Sequence, residues 1–192
     1  MIFDLPGKEE SKRHLLGALE IALFMPEARA RFNNDYNEAR RSFLIPLLLF
    51  PLTLLLIYFS PESAHKSAGN LALLYGLRLL INWAVFLGVV YMIARKINRK
   101  DYFLPFVTAN NWITMPTTAA FLPVIWMMTT GSHSWEELYP FMVCLLFYGY
   151  GCTAYIAAQT LRIPWELAGF IAVLAMTVNE STLNLVDWVG SL

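Results

Sequence analysis

From residue 43 onward, long apolar runs alternate with short polar breaks. Residues 43–60 carry no charge, and residues 71–94 carry one, Arg78. A third run, about 102–130, is interrupted by Pro105, Pro116 and Pro123. Residues 138–160 and 165–189 complete the set, the last containing Asn179 and Glu180. A helix rising 1.5 Å per residue needs about 20 apolar residues to cross the hydrocarbon of a bilayer. The pattern predicts an all-α integral membrane bundle of five transmembrane helices, with spans at about 43–60, 71–94, 102–130, 138–160 and 165–189. If Asn179 and Glu180 are not tolerated, the last span stops near Val178, and 180–192 lies at the surface as a short helix.

The stretch before the first span is the only long polar part, and Pro26 splits it. In 15–25, Leu15, Leu16, Leu19 and Leu23 share one helical face, and Arg13, Gly17 and Glu20 share another. From 27 to 43, Phe32, Tyr36, Ala39 and Phe43 recur at helical spacing, opposite Arg29, Arg31, Arg40 and Arg41. Basic amphipathic helices just before a span are expected to lie in the membrane interface. The chain thus divides into an amphipathic N-terminal region, 1–42, and a five-helix transmembrane domain, 43–192. Anchoring and topology setting explain the first part. A surface or partner-docking face of Arg29, Arg31, Phe32, Tyr36, Arg40 and Arg41 is the functional alternative. Lys12-Arg13 followed by 15–25 imitates a signal peptide, but Glu20 interrupts it and no small-residue cleavage site follows, so the N-terminus is expected to be retained.

Composition strengthens the membrane reading. Hydrophobic residues make up 57% of the chain and charged ones 15%, against about 25% charged in ordinary soluble domains. Net charge is zero, and nothing global points to nucleic acid. The distribution of charge is more telling. Of the 14 lysines and arginines, seven precede residue 43, four lie in 95–101, and Arg162 lies in 161–164. Five spans put all three segments on one side, which the positive-inside rule makes cytoplasmic. The expectation is a multi-pass protein of a bacterial inner membrane, N-terminus in and C-terminus out.

A charge inside hydrocarbon needs a partner or a wet cavity. Spans two and five run antiparallel, and counting along each brings Arg78 and Glu180 to similar depth. An Arg78–Glu180 pair satisfies both. Asn82 follows Arg78 by one turn, and Asn110, Asn111 and Tyr148 come out near mid-depth. These six residues form one expected intramembrane polar cluster. It reads as a cavity for an anion or lipid headgroup, or as a buried hydrogen-bonded knot that fixes helix packing. In a third reading, Arg78 snorkels to the headgroups.

The search for other chemistry yields little. There is no phosphate loop, no HExxH and no clustered Cys/His spacing. His14, His65 and His133 fall in segments expected at the surface. Cys144 and Cys152 read as small buried hydrophobes. No cofactor, metal or catalytic residue is expected, and an enzyme is disfavoured.

Five spans, a basic N-terminal region and short loops resemble the Yip family, the Ypt/Rab-interacting membrane proteins and their bacterial relatives. Arg29-Ala30-Arg31-Phe32, Arg41-Ser42-Phe43 before span one, and Pro51 within it look like the opening of small bacterial members. Trp112 four residues before Pro116 is similar to the aromatic-x-x-x-Pro of the family's Gly-Tyr motif. Here Asn111 stands where glycine is expected, and the Asp-Leu-Tyr-Gly-Pro motif is missing. The resemblance implies membrane organisation or partnership in a larger assembly, without Rab binding. The expected function is a membrane scaffold or accessory subunit, its partners the lipid bilayer and another membrane protein or a second copy of itself. The alternative is a small transporter or channel using Arg78, Asn82, Asn110, Asn111 and Glu180.

Overall fold

The computed structural model describes residues 5–59 and 68–190. Every regular element among them is helical. Helix α1 spans Lys8–Ala22, followed by a 3-10 segment, Pro26–Arg31. Helices α2 (Tyr36–Ser42) and α3 (Leu44–Tyr58) follow. Then come α4 (Ala68–Lys96), α5 (Phe103–Trp112), α6 (Thr114–Thr129), α7 (Trp135–Leu161) and α8 (Trp165–Gly190).

Four stretches are long and apolar enough to cross a membrane: Tyr36–Tyr58, Gly69–Lys96, Trp135–Leu161 and Trp165–Val186. The first joins α2 to α3 through Phe43, whose backbone stays right-handed helical. The boundary expected at 42/43 therefore falls inside a nearly continuous helix. Its start is set by Asp35, whose carboxylate accepts from the Asn37 and Glu38 amides at 2.7 and 3.0 Å, an N-cap. At the other turn, Ser134 and Glu137 form a reciprocal capping box that starts α7. Helix α8 continues through Asn179 and Glu180 to Gly190, so 180–190 belong to the same helix rather than to a separate surface piece.

The expected third span is two helices broken at Ile113. Pro116 has no N–H to give the Trp112 carbonyl, and this is where the ladder fails. The Thr114 hydroxyl donates to the Asn111 carbonyl at 2.6 Å, and the Thr117 hydroxyl to the Ile113 carbonyl at 2.8 Å. Polar side chains thus satisfy backbone near the break, as helices in an apolar medium require. Both pieces pack along α7. Phe106 and Trp112 share a core with Tyr155, Ile156 and Leu161, while Val124 and Met128 of α6 meet Leu138 and Met142 of α7.

The bundle has two unlike ends. At one, termed the docked end, α1, the 3-10 segment and α2 pack on α5, α6 and α7. The main core lies here, running from Ala18, Ile21 and Phe32 through Phe106 and Trp112 to Ile156 and Ile171. Among the described residues the far end holds two small clusters. One is Val124, Met128, Leu138 and Met142; the other is Leu71, Tyr75 and Val186.

Helix α1 buries His14, Gly17, Ala18 and Ile21 against the bundle. Its leucine face, Leu15, Leu16, Leu19 and Leu23, stays exposed. The helix closes at Phe24, which takes a left-handed conformation (φ 55°), while the Met25 amide donates to the Glu20 carbonyl at 2.8 Å. The Phe24 ring pays for that backbone by packing edge-on to Tyr155 and Tyr148, with centroids 5.3 and 6.1 Å away. Gly17 marks the closest approach. A Cβ there would stand 2.7 Å from the Arg31 Cβ and 2.8 Å from the Phe32 ring.

Candidate functional site

The structure divides the expected polar cluster into three places. The first surrounds Arg78, where α4 passes α8. Its Nη2 donates to the Asn179 side-chain oxygen at 2.9 Å and to the Asn179 backbone carbonyl at 3.3 Å. Asn82 donates to the same side-chain oxygen at 3.4 Å. The guanidinium also lies 5.5 Å from the centre of the Tyr75 ring. A cavity of about 200 Å³ opens beside Arg78 and Asn82, bounded also by Thr53, Thr114, Thr118 and Asn179.

The expected Arg78–Glu180 ion pair does not form. Depth counting brought the right turn of α8 to Arg78, but successive helical residues point about 100° apart at 3.6 residues per turn. That rotation presents Asn179 to α4 and leaves Glu180 exposed. A neutral acceptor costs less to bury than a carboxylate, and it still satisfies guanidinium donors.

The second place is the junction of α5 with α2. Asn111 is buried, and its amide donates to the Ser42 hydroxyl at 2.9 Å; Ser42 donates to the Ala39 carbonyl at 2.7 Å. Asn110 sits half-buried on the neighbouring face, apart from this bond. The third place is Tyr148, whose hydroxyl donates to the Ala22 carbonyl at the end of α1. Asn111 and Tyr148 thus serve the docking of the N-terminal region rather than a cavity with Arg78.

The basic N-terminal face is also rearranged. Arg31 grips Glu20 through Nε at 3.0 Å and Nη2 at 2.6 Å. Arg41 grips Glu10 at 3.2 and 2.8 Å, joining α2 to α1. Phe32 is buried. Of the six residues expected to face a partner or the membrane, only Arg29, Tyr36 and Arg40 are exposed.

His14 is the residue that sequence reading misplaced. It is fully buried rather than at the surface, because a histidine flanked by Gly17, Ala18 and Ile21 on one face lets α1 approach the bundle closely. Its ring stacks on Phe32, with centroids 5.5 Å apart and planes 11° from parallel, and lies 5.4 Å from the Trp112 ring. Its Nε2 meets a Glu38 carboxylate oxygen at 3.1 Å. The other oxygen of Glu38 accepts from Arg13. The Arg13 guanidinium, a donor only, lies 3.3 Å from the same nitrogen, so Nε2 faces both the carboxylate and Arg13. Burial pushes the His14 pKa below its ordinary 6.5, against the pull of the Glu38 charge in the other direction. His133 is exposed, and His65 lies outside the described residues. Cys152 is buried as expected, whereas Cys144 is exposed on the outside of α7. Among the described residues no group of three His, Cys, Asp or Glu side chains could hold a metal ion.

Two further features lie on the docked end. Arg162 ends α7 in a left-handed conformation (φ 55°), its guanidinium 4.4 Å from the centre of the Tyr102 ring and 2.9 Å from the Tyr102 hydroxyl. Beside it a cleft of about 620 Å³ is bounded by Arg29, Asn33, Asp101, Tyr102 and Arg162.

No protein-family model, curated protein or solved structure matches the chain. The fold and its sites are therefore read on their own terms.

Proposed function

We propose that the chain is an integral membrane scaffold or accessory subunit, acting through helix faces and a docked N-terminal cap, with no chemistry of its own. The observation that carries this reading is the use of its internal polar groups. Arg78 and Asn82 join α4 to α8, Asn111 joins α5 to α2, and Tyr148 joins α7 to α1. Each ties distant segments together. The outward surface, by contrast, is broadly apolar. Only 17% of the most apolar window of the first two spans is buried. Lipid tails offer no hydrophobic drive for helix association, so such faces meet partners by close packing where lipid does not cover them.

Within this reading α5 and α6 together form a fifth, broken span. The N-terminus then faces the cytoplasm and the C-terminus the other side of a bacterial inner membrane. The leucine stripe of α1 faces the interface, as an amphipathic helix docked under a bundle would place it. A Yip-like architecture belongs to the same proposal, resting on the sequence resemblance.

The cavity beside Arg78 supports a second reading, a passage or site for a small anion or a lipid headgroup. Purification from native membrane in mild detergent separates the two. A scaffold or subunit recovers a defined protein partner, or a second copy, in fixed stoichiometry. Recovery solely as a free monomer sinks the scaffold reading. Anion flux in vesicles that is lost in Arg78→Gln would favour the second.

A further inference from the structure

A groove of about 360 Å³ runs along the docked end between α2, α4 and α5. Leu87 and Gly88 of α4 line it, with Tyr91 and Phe103 forming an edge-on pair, centroids 5.2 Å apart. Its volume falls in the range of small-molecule sites, about 300–1,000 Å³. Besides Tyr91, two polar side chains reach it from α2, Tyr36 and Arg40, one turn apart.

Arg40 differs from its neighbours. Arg13, Arg31 and Arg41 each grip a glutamate. Arg40 is exposed and has no carboxylate partner among the described residues. The helix that lines the groove ends in Arg95 and Lys96, with Arg99 and Lys100 just beyond. The groove is therefore lined by apolar side chains with one cation, Arg40, and Arg95 follows Tyr91 by one turn of α4. Gly88 deepens it, since a Cβ at that position would meet nothing within 4 Å. A glycine with no close packing partner leaves a slot on the helix surface, and it lies on the stretch of α4 below the basic cluster.

We propose that this groove is a lipid-binding site that holds one acyl chain of an anionic phospholipid, with the phosphate against Arg40. An apolar slot beneath a cation suits an amphiphile with a negative head, because the chain leaves water while the charge-assisted bonds form at the membrane surface. A free inorganic anion would have no use for the slot. A neutral lipid would have no use for Arg40. The inference rests on the proposed membrane embedding, and it is independent of whether a protein partner exists.

Native mass spectrometry of the full chain in mild detergent tests it, with phosphatidylglycerol and phosphatidylcholine added at equal concentration. The wild type should retain one phosphatidylglycerol at least tenfold in preference. Gly88→Leu fills the slot in open space and should lose that lipid, with helix content and melting temperature in lipid-free detergent unchanged. Arg40→Gln should keep the fold and bring the two lipids to equal retention. Equal retention of both lipids by the wild type overturns the proposal. So does full retention of phosphatidylglycerol by Gly88→Leu. Should Gly88→Leu fail to fold, an unchanged preference in Arg40→Gln overturns it as well. A protein partner, present or lost, appears as a separate mass and leaves the lipid result standing.

Discussion

The docked end and the far end of the bundle are held by different means. At the docked end three arginine–glutamate pairs, a buried histidine and one continuous core join α1, the 3-10 segment and α2 to the bundle. At the far end the described residues form two clusters of four and three buried residues, with Arg78 and Asn179 between helices. The contrast teaches where a membrane protein can afford polar adhesion. Near the surface, ion pairs keep partial access to water and cost little to desolvate. Between α4 and α8 the Arg78 guanidinium meets the Asn179 amide and the Tyr75 ring, neutral groups that cost less to bury than a carboxylate.

If the docked end carries the fold, core truncation there should be the most damaging change. Phe106→Ala removes a fully buried ring and should cost about 3–5 kcal/mol in reversible unfolding in detergent. Met142→Ala, in the small far cluster, should fall near the bottom of the range for such truncations, about 2 kcal/mol. Equal losses would erase the distinction between the ends.

Gly17→Ala sharpens it next. The added methyl meets the Arg31 Cβ and the Phe32 ring, so the 3-10 segment must shift away from α1. Overpacking of this kind should cost about 1–3 kcal/mol. Gly149→Ala, whose Cβ meets nothing within 4 Å, is the matched control and should stabilise α7 by up to about 1 kcal/mol.

At the far end a double-mutant cycle between Arg78→Met and Asn179→Leu should give a coupling of about 1 kcal/mol, as for hydrogen bonds between membrane helices. The cycle between Arg78→Met and Glu180→Leu should be additive. The reverse outcome would restore the carboxylate as the partner.

The smallest effect is in pH. The folded chain holds His14 below 6.5, so the unfolded chain binds its proton first as pH falls. Stability from this site is complete above pH 6.5 and is lost as pH drops through 6.5 toward the lowered folded value. Melting temperatures between pH 8 and 5 should fall more steeply for the wild type than for His14→Gln. Parallel curves would remove His14 from the titration.

Four of the five expected spans coincide with helices long and apolar enough to cross a membrane, because a long apolar run has few other uses. Of the three prolines expected to interrupt the third run, Pro116 stands beside the break at Ile113, whereas Pro105 and Pro123 lie within α5 and α6. The partner of Arg78 was legible in depth but not in rotation, and one residue of helix separates Asn179 from Glu180. The docking of residues 8–42 was not legible from helical periodicity, which sees one helix at a time. A signal was present in charge balance. Residues 1–42 hold seven acids against seven bases, so the arginines that looked like a membrane-binding face had glutamates to pair with inside the same region. His14 beside Gly17 and Ala18 is a second signal, a narrow face suited to close approach.

The central claim is that the N-terminal region is built into the bundle rather than lying free on the membrane. Diethyl pyrocarbonate modification, followed by peptide mass spectrometry on the folded protein, tests it most directly. His133 is exposed and should react quickly. His14 is sealed between Phe32 and Trp112 and should stay unmodified until the protein unfolds. Modification of His14 at the rate of His133 in the folded protein would contradict the docked arrangement.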